Sequence, residues 1–312
     1  MSGEICTVAC MSEFLRFWFK TIQRAVSIWL ESQAFVYAAA LAFFTVFSIA
    51  PVVIVAVAVV GLVLGEDAAT GQIMIELEGT IGPQAAEFVQ VAVQSTQVDS
   101  KGLWPTVLGV GLIILGATTV FGQMQNALNA IWDVIAKPSR SGLLKLLLTR
   151  LMSLTMLLVI GFVLLVSLLL SIVVRALVAY AQDWLPVGEG LLIAADLGLS
   201  VALATLLFGA IFRILPDVVL SFRDVLLGAL VTALLFTLGR SVIGIYLANS
   251  AASSAYGAAG SLVLLLMWVN YSSLILLFGA AFTRAHLEAA GRMVIPRRLA
   301  IRVHRQLIED DD

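Results

Sequence analysis

Six long apolar stretches run along the chain, at Ala34–Leu64, Leu103–Phe121, Leu143–Val174, Leu191–Ile211, Val225–Leu247 and Ala258–Phe282. Each reaches or exceeds the ~20 apolar residues a helix needs to cross ~30 Å of hydrocarbon. Lipid offers no partner to a bare N–H or C=O, so stretches this apolar predict helices rather than open strands. The pattern predicts an all-α, polytopic integral membrane protein with six transmembrane helices.

The polar intervals between the stretches give the chain a direction. Arg16, Lys20 and Arg24 precede the first stretch, and Lys137, Arg140, Lys145 and Arg150 lie around the junction of the second and third. Arg213 and Arg223 bracket the link from fourth to fifth, and Arg284, Arg292, Arg297, Arg298, Arg302 and Arg305 follow the sixth. Fifteen of the 18 Lys and Arg thus fall on one side, against Lys101 and Arg175 on the other, with Arg240 inside a stretch. Because cytoplasmic loops collect Lys and Arg, both termini are expected in the cytoplasm. The opposite loops carry Glu66, Asp67, Glu76, Glu78, Glu87, Asp99, Asp183 and Glu189.

Shorter patterns fill in the organisation. Residues 1–33 form a cytoplasmic N-terminal segment whose part 12–32 reads as an amphipathic helix, with Phe14, Leu15, Trp18, Ile22, Ala25, Val26 and Trp29 on one stripe. Such a helix lies along the membrane interface or packs beneath the bundle. Residues 34–283 form the membrane domain. Within it, Gly79 and Gly82-Pro83 divide the external segment 66–102 into a helical hairpin over Ala68–Glu78 and Pro83–Gln97, either a lid on the outer mouth or a plain connector. Residues 284–312 read as a basic helix with an acidic end. In the first span Pro51 removes a helical hydrogen bond and crowds the Phe47 carbonyl, so a kink is expected there with Ser48 satisfying part of what is freed, either a hinge at Ser48 and Pro51 or an ordinary transmembrane proline. Glycines at 109, 111 and 116 in the second span and 257 and 260 at the start of the sixth mark places where helices approach closely.

Composition narrows the function. At 61% hydrophobic and 12% charged, six spans use nearly the whole length and leave no room for a separate soluble catalytic domain. Charges interrupt the first 33 residues, so the first span is expected to act as an uncleaved anchor. Cys6 and Cys10 lack further ligands nearby, and His286 and His304 lack a second ligand at metal spacing, so no metal is expected. No Gly-rich loop ending in Gly-Lys-Ser/Thr is present, which argues against ATP hydrolysis by this chain. The tail arginines read as a contact with anionic lipid rather than with nucleic acid. No catalytic residue and no cofactor are assigned.

The candidate site residues are the polar groups inside the spans. Asp196 and Arg240 lie about 7 and 10 Å in from the outer ends of the fourth and fifth spans at 1.5 Å per residue. They read either as an ion pair locking two helices or as the lining of an outward cavity for an anionic or amphiphilic substrate. Asn270 lies mid-span in the sixth stretch, and Gln123, Gln125, Asn126 and Asn129 line the cytoplasmic end of the second. These amides serve interhelical bonding or a polar pathway.

Several blocks resemble a known family. Ala40-Leu-Ala-Phe-Phe-Thr-Val-Phe-Ser48-Ile-Ala-Pro51, Ala127-Leu-Asn129-Ala-Ile-Trp132, Leu215-Pro216-Asp217, Tyr256-Gly-Ala-Ala-Gly260-Ser-Leu and Trp268-Val-Asn-Tyr271-Ser leading to Phe278-Gly-Ala280 are similar, in order, to those of the YihY/BrkB family of bacterial inner-membrane proteins, once labelled ribonuclease BN. Members often carry Tyr where this chain has Asn270 and Glu where it has Ala281, so no role is assigned to position 281. The resemblance implies a six-helix, multi-pass inner-membrane protein, with proposed links to envelope lipid transport and serum resistance. The expected function is non-enzymatic transport of a lipid-like amphiphile, or assistance to it, with membrane lipids and possible envelope lipid-transport proteins as partners. A channel or transporter for a small solute is the alternative, and a membrane-bound nuclease fits the residues least.

Overall fold

The computed structural model describes residues 2–96, 103–137, 151, 155, 158, 189–249, 260–297 and 300–303. They form helices α1 (Ser2–Glu31), α2 (Ala34–Leu64), α3 (Glu66–Ile81), α4 (Pro83–Thr96) and α5 (Leu103–Ile131), then strand β1 (Val134–Ala136). Helices α6 (Glu189–Ile214), α7 (Phe222–Asn249) and α8 (Gly260–Ala289) follow, with strand β2 (Ala300–Arg302) after them. Among the described residues, four helices are long and apolar enough to cross a membrane, over Ala34–Leu62, Leu197–Ile214, Phe222–Arg240 and Gly260–Ala289. The second apolar stretch falls within α5, and the third, 143–174, lies outside the described residues apart from 151, 155 and 158.

Helix α8 is the hub, packing against α1, α2, α4, α5 and α7. Its antiparallel contact with α7 rests on glycines that meet threonines. A Cβ added at Gly228 would fall 1.8 Å from Thr283 Oγ1, and one at Gly279 would fall 1.7 Å from Thr232 Oγ1. Each threonine hydroxyl donates to the carbonyl one turn back, Thr232 to Gly228 at 2.6 Å and Thr283 to Gly279 at 2.8 Å. The hydroxyls are therefore satisfied without a partner across the interface, and two backbones approach as small residues permit in lipid.

The same logic operates between α2 and α5. Helix α2 continues through Pro51, and a Cβ at Gly116 would lie 2.8 Å from Pro51 Cγ and 4.0 Å from the Phe47 carbonyl oxygen. A bare glycine thus admits both the proline ring and the carbonyl that proline deprives of its helical donor.

At one end, α3 and α4 join through Gly82 at φ 86°. They lay Ala69, Ile81, Ala85, Ala86 and Val89 onto Val53, Val57 and Val60 of α2 and Leu265 and Trp268 of α8. The opposite end, the charged end, carries the ion pairs of Arg24, Arg284 and Arg292 and a two-stranded antiparallel sheet, β1 with β2, pairing Ile135 with Ile301, whereas the charges of the α3–α4 end are acidic only. Helix α1 does not stand apart from the bundle. It buries Thr21, Ala25 and Ile28, stacks Trp18 on Phe282 and His286, and donates from Trp29 Nε1 to the Leu274 carbonyl at 3.2 Å.

Candidate functional site

Two polar regions stand out, one at the charged end and one within the membrane-spanning helices. At the charged end, Gln125 and Asn129 lie one turn apart on α5 and face the same side. Both donate to the Asp217 carboxylate, Gln125 Nε2 at 3.2 Å and Asn129 Nδ2 at 2.9 Å. The Asp217 N–H donates back to Asn129 Oδ1 at 2.8 Å. Asn129 and Asp217 thereby join two sequence blocks 88 residues apart, and the sequence reading of the α5 amides as interhelical links identifies the donors but not their acceptor.

Arginines close the ends of two helices. The last carbonyls of a helix lack intrahelical donors and carry its partial negative charge, which favours a cation there. Arg284, 5% exposed, donates from Nη1 to the Ile131 carbonyl that ends α5, at 2.6 Å. The same guanidinium meets Asp133 at 2.7 Å and Glu288 at 2.8 Å, and Glu288 also receives Arg24 of α1 at 3.2 Å. Asp133 sits at φ 49°, the left-handed region that Asp tolerates better than most residues, and this turn aims its carboxylate at Arg284. Arg297 repeats the pattern on α6. Its Nη2 donates to the Arg213 carbonyl at 2.9 Å and its Nε to the Val218 carbonyl at 3.3 Å, while its N–H donates to the Asp217 carbonyl at 2.9 Å. Arg292 pairs with Asp224, whose other oxygen accepts the Ser221 N–H at the start of α7 at 3.0 Å. The charge pattern along the sequence groups these arginines on one expected side of the membrane and does not identify their acceptors. The sequence signal is faint: an Asp two residues past the end of α5, and an Arg four residues before a Glu.

The membrane-depth region holds the candidates named from sequence. Gly239 of α7 seats Tyr271 of α8, since a Cβ at 239 would lie 2.0 Å from the Tyr271 hydroxyl. That contact puts Arg240 and Asn270 at one level of the α7–α8 pair. Arg240 is exposed and has no ion-pair partner among the described residues. Asn270 is half-buried, and its Oδ1 and the neighbouring Ser272 Oγ are buried without a hydrogen-bond partner. Asp196 belongs to α6, but its side chain lies outside the described residues, so its pairing with Arg240 stays an expectation. Ser48 is buried one turn before Pro51, on the turn of α2 that faces Gly116. Ala281 is fully buried in the main core. Among the described residues, no group of three or more His, Cys, Asp or Glu is placed to hold a metal.

Comparisons with known proteins supply the family. Residues 25–296 match the family described as Virulence factor BrkB. A UPF0761 membrane protein of Pseudomonas paraeruginosa is 29% identical over 245 residues, 78% of this chain and 57% of that protein. One of Saccharophagus degradans is 28% identical over 254 residues, 80% of this chain and 56% of its own length. One of Mannheimia succiniciproducens is 26% identical over 249 residues, 79% of this chain and 82% of that protein. The chain thus spans a little over half the length of the Pseudomonas and Saccharophagus relatives. No solved structure matches. The match runs from within α1 to the residue before Arg297, taking in the joined Asn129 and Asp217 blocks, and this chain is a membrane protein of the Virulence factor BrkB family.

Proposed function

We propose that this protein is a non-enzymatic, six-span inner-membrane protein that moves, or helps to move, a lipid-like amphiphile across or out of the membrane. In this reading the charged end is cytoplasmic, because that is where Lys and Arg accumulate, and the α3–α4 hairpin lies outside. The observation that carries it is Arg240, exposed at the level of Tyr271 and Asn270 on the α7–α8 pair. Arg240 ends the apolar part of α7; a cation within a span costs up to about 2.5–3.5 kcal/mol at its centre on insertion scales and less toward its end, and a guanidinium does not escape that by losing its proton. Such a group is met by water or by an anion, and an anionic headgroup whose tails stay in lipid supplies the charge without leaving the bilayer.

The test is reconstitution into liposomes holding a fluorescent anionic phospholipid, with the label in the inner leaflet followed by its exposure to an impermeant quencher. Wild-type protein should expose that label faster than protein-free liposomes. Arg240→Ala should slow exposure by about tenfold, in line with loss of one charge-assisted hydrogen bond, and Arg240→Lys should retain part of the rate. Rates equal to protein-free liposomes would overturn the reading. Leakage of an entrapped small solute without lipid movement would replace it with a solute channel.

A further inference from the structure

We infer that α1 carries a binding site for anionic phospholipid, in which Arg16 and Lys20 hold the headgroup and the stripe Leu15, Phe19, Ile22, Val26 and Leu30 holds the acyl chains. At about 100° per residue, α1 has three faces rather than two. Trp18, Thr21, Ala25, Ile28 and Ser32 follow one line, and all but half-buried Trp18 are buried. This face meets α8 through Trp18 on Phe282 and His286 and Trp29 on Leu274 and Phe278. A second line, Leu15, Phe19, Ile22, Val26 and Leu30, is apolar yet exposed, from 38% at Val26 to 69% at Phe19. Arg16, Lys20, Gln23, Ser27 and Glu31 form the third, directly beside it.

A helix that only covered the bundle would present polar residues to solvent on the face turned away from it. This one presents five large apolar side chains, so the face belongs in hydrocarbon. Its depth agrees, because α1 runs beside the C-terminal part of membrane-spanning α8, with Trp18 level with Phe282–His286 and Trp29 level with Leu274–Phe278. Charge decides what lies against it. Arg24 is engaged by Glu288 and Glu31, whereas Arg16 and Lys20 are exposed and without ion-pair partners among the described residues. They stand one turn apart at the border of the apolar stripe, two cations for one phosphate diester with its chains alongside. This site is independent of the transport reading, since it requires only that α8 span a membrane.

The test uses full-length protein with Cys6 and Cys10 replaced by Ser, reconstituted in phosphatidylcholine vesicles with a minor fraction of phosphatidylglycerol. Nitroxide labels on Phe19→Cys and Val26→Cys should collide with oxygen in preference to an aqueous nickel chelate, and a label on Gln23→Cys should show the reverse. In detergent, phosphatidylglycerol should raise the melting temperature of wild-type protein. Arg16→Gln and Lys20→Gln should each weaken that lipid's binding about fivefold, with the unliganded melting temperature unchanged because both side chains are exposed. Nickel access at 19 and 26, shielding from both reagents, or spin coupling between copies would overturn the inference. So would equal stabilisation by inorganic phosphate alone, which would mark a soluble-anion site.

Discussion

Replacing Arg284 by Met tests the charged end most directly. The substitution keeps the aliphatic stem and removes three interactions, those with the Ile131 carbonyl, Asp133 and Glu288. Charge-assisted hydrogen bonds contribute about 1.5–3 kcal/mol each, but their simple sum overstates the loss. Glu288 keeps Arg24, and the Asp133 and Glu288 side chains are 32% and 27% exposed, so water recovers part of their solvation. The carbonyl at the end of α5 and the inner side of Asp133 bear the remainder. That places the loss near 3 kcal/mol, the lower end of the range for breaking a buried pair. At roughly 2–4 °C per kcal/mol for larger domains, melting in detergent should fall by roughly 6–12 °C. Arg284→Lys should fall between, because an ammonium lacks the planar fork that reaches three acceptors. Adding Asp133→Asn to Arg284→Met should cost less than the two singly, with a coupling of about 0.5–3 kcal/mol. A shift under about 1 °C, or strict additivity, would mean that Arg284 does not hold α5, and the account of the capped helix end would fall.

Other perturbations probe separate parts of the molecule. Gly279→Val should prevent α7 and α8 from closing at Thr232 and abolish the folded, monodisperse peak in size exclusion, while Gly111→Ala, where a Cβ meets nothing within 4 Å, should leave it intact. Asn129→Ala strands the Asp217 carboxylate and N–H and should lower stability by about 1–3 kcal/mol, read by thermal melting, more than Asn126→Ala at an exposed position. Reporter fusions after residues 140 and 312 should report cytoplasm and one near residue 97 the exterior; a cytoplasmic signal at 97 would remove the six-span topology. A double-mutant cycle on Asp196→Ala and Arg240→Ala should show partial recovery in the double variant if the two charges meet, whereas additive losses would leave Arg240 open to a ligand.

What was legible in the sequence follows from how strongly lipid constrains a chain. Ala34–Leu64 reads as one apolar stretch and is one helix with those bounds, because hydrocarbon forces every backbone bond to be made within the segment. The same force hides which way a helix faces, since lipid and protein interior are equally apolar. Hydropathy therefore gathers Phe14, Leu15, Trp18, Ile22, Ala25, Val26 and Trp29 into one stripe, while the structure sends Trp18 and Ala25 to α8 and Leu15, Ile22 and Val26 outward. Thr21 and Ser32, small polar residues on the inward line, were the better guide. The links Asn129–Asp217 and Arg284–Ile131 cross 88 and 153 positions, and no local pattern encodes them. Arg240 was legible as an unusual charge, and its level beside Tyr271 came only from the packing at Gly239.

The pairing of β1 with β2 sets an order of events. Strand β1 follows α5 directly, yet its partner is Ala300–Arg302, and the Asp133 carbonyl accepts from the Val303 N–H at 2.8 Å. A ribosome must translate the whole interval between them before either bond exists, on the order of ten seconds at cellular rates. For that time the end of α5 waits without Arg284 or β2. Chains stopped before residue 300 therefore carry α5 and β1 but never gain the strand that pairs with β1.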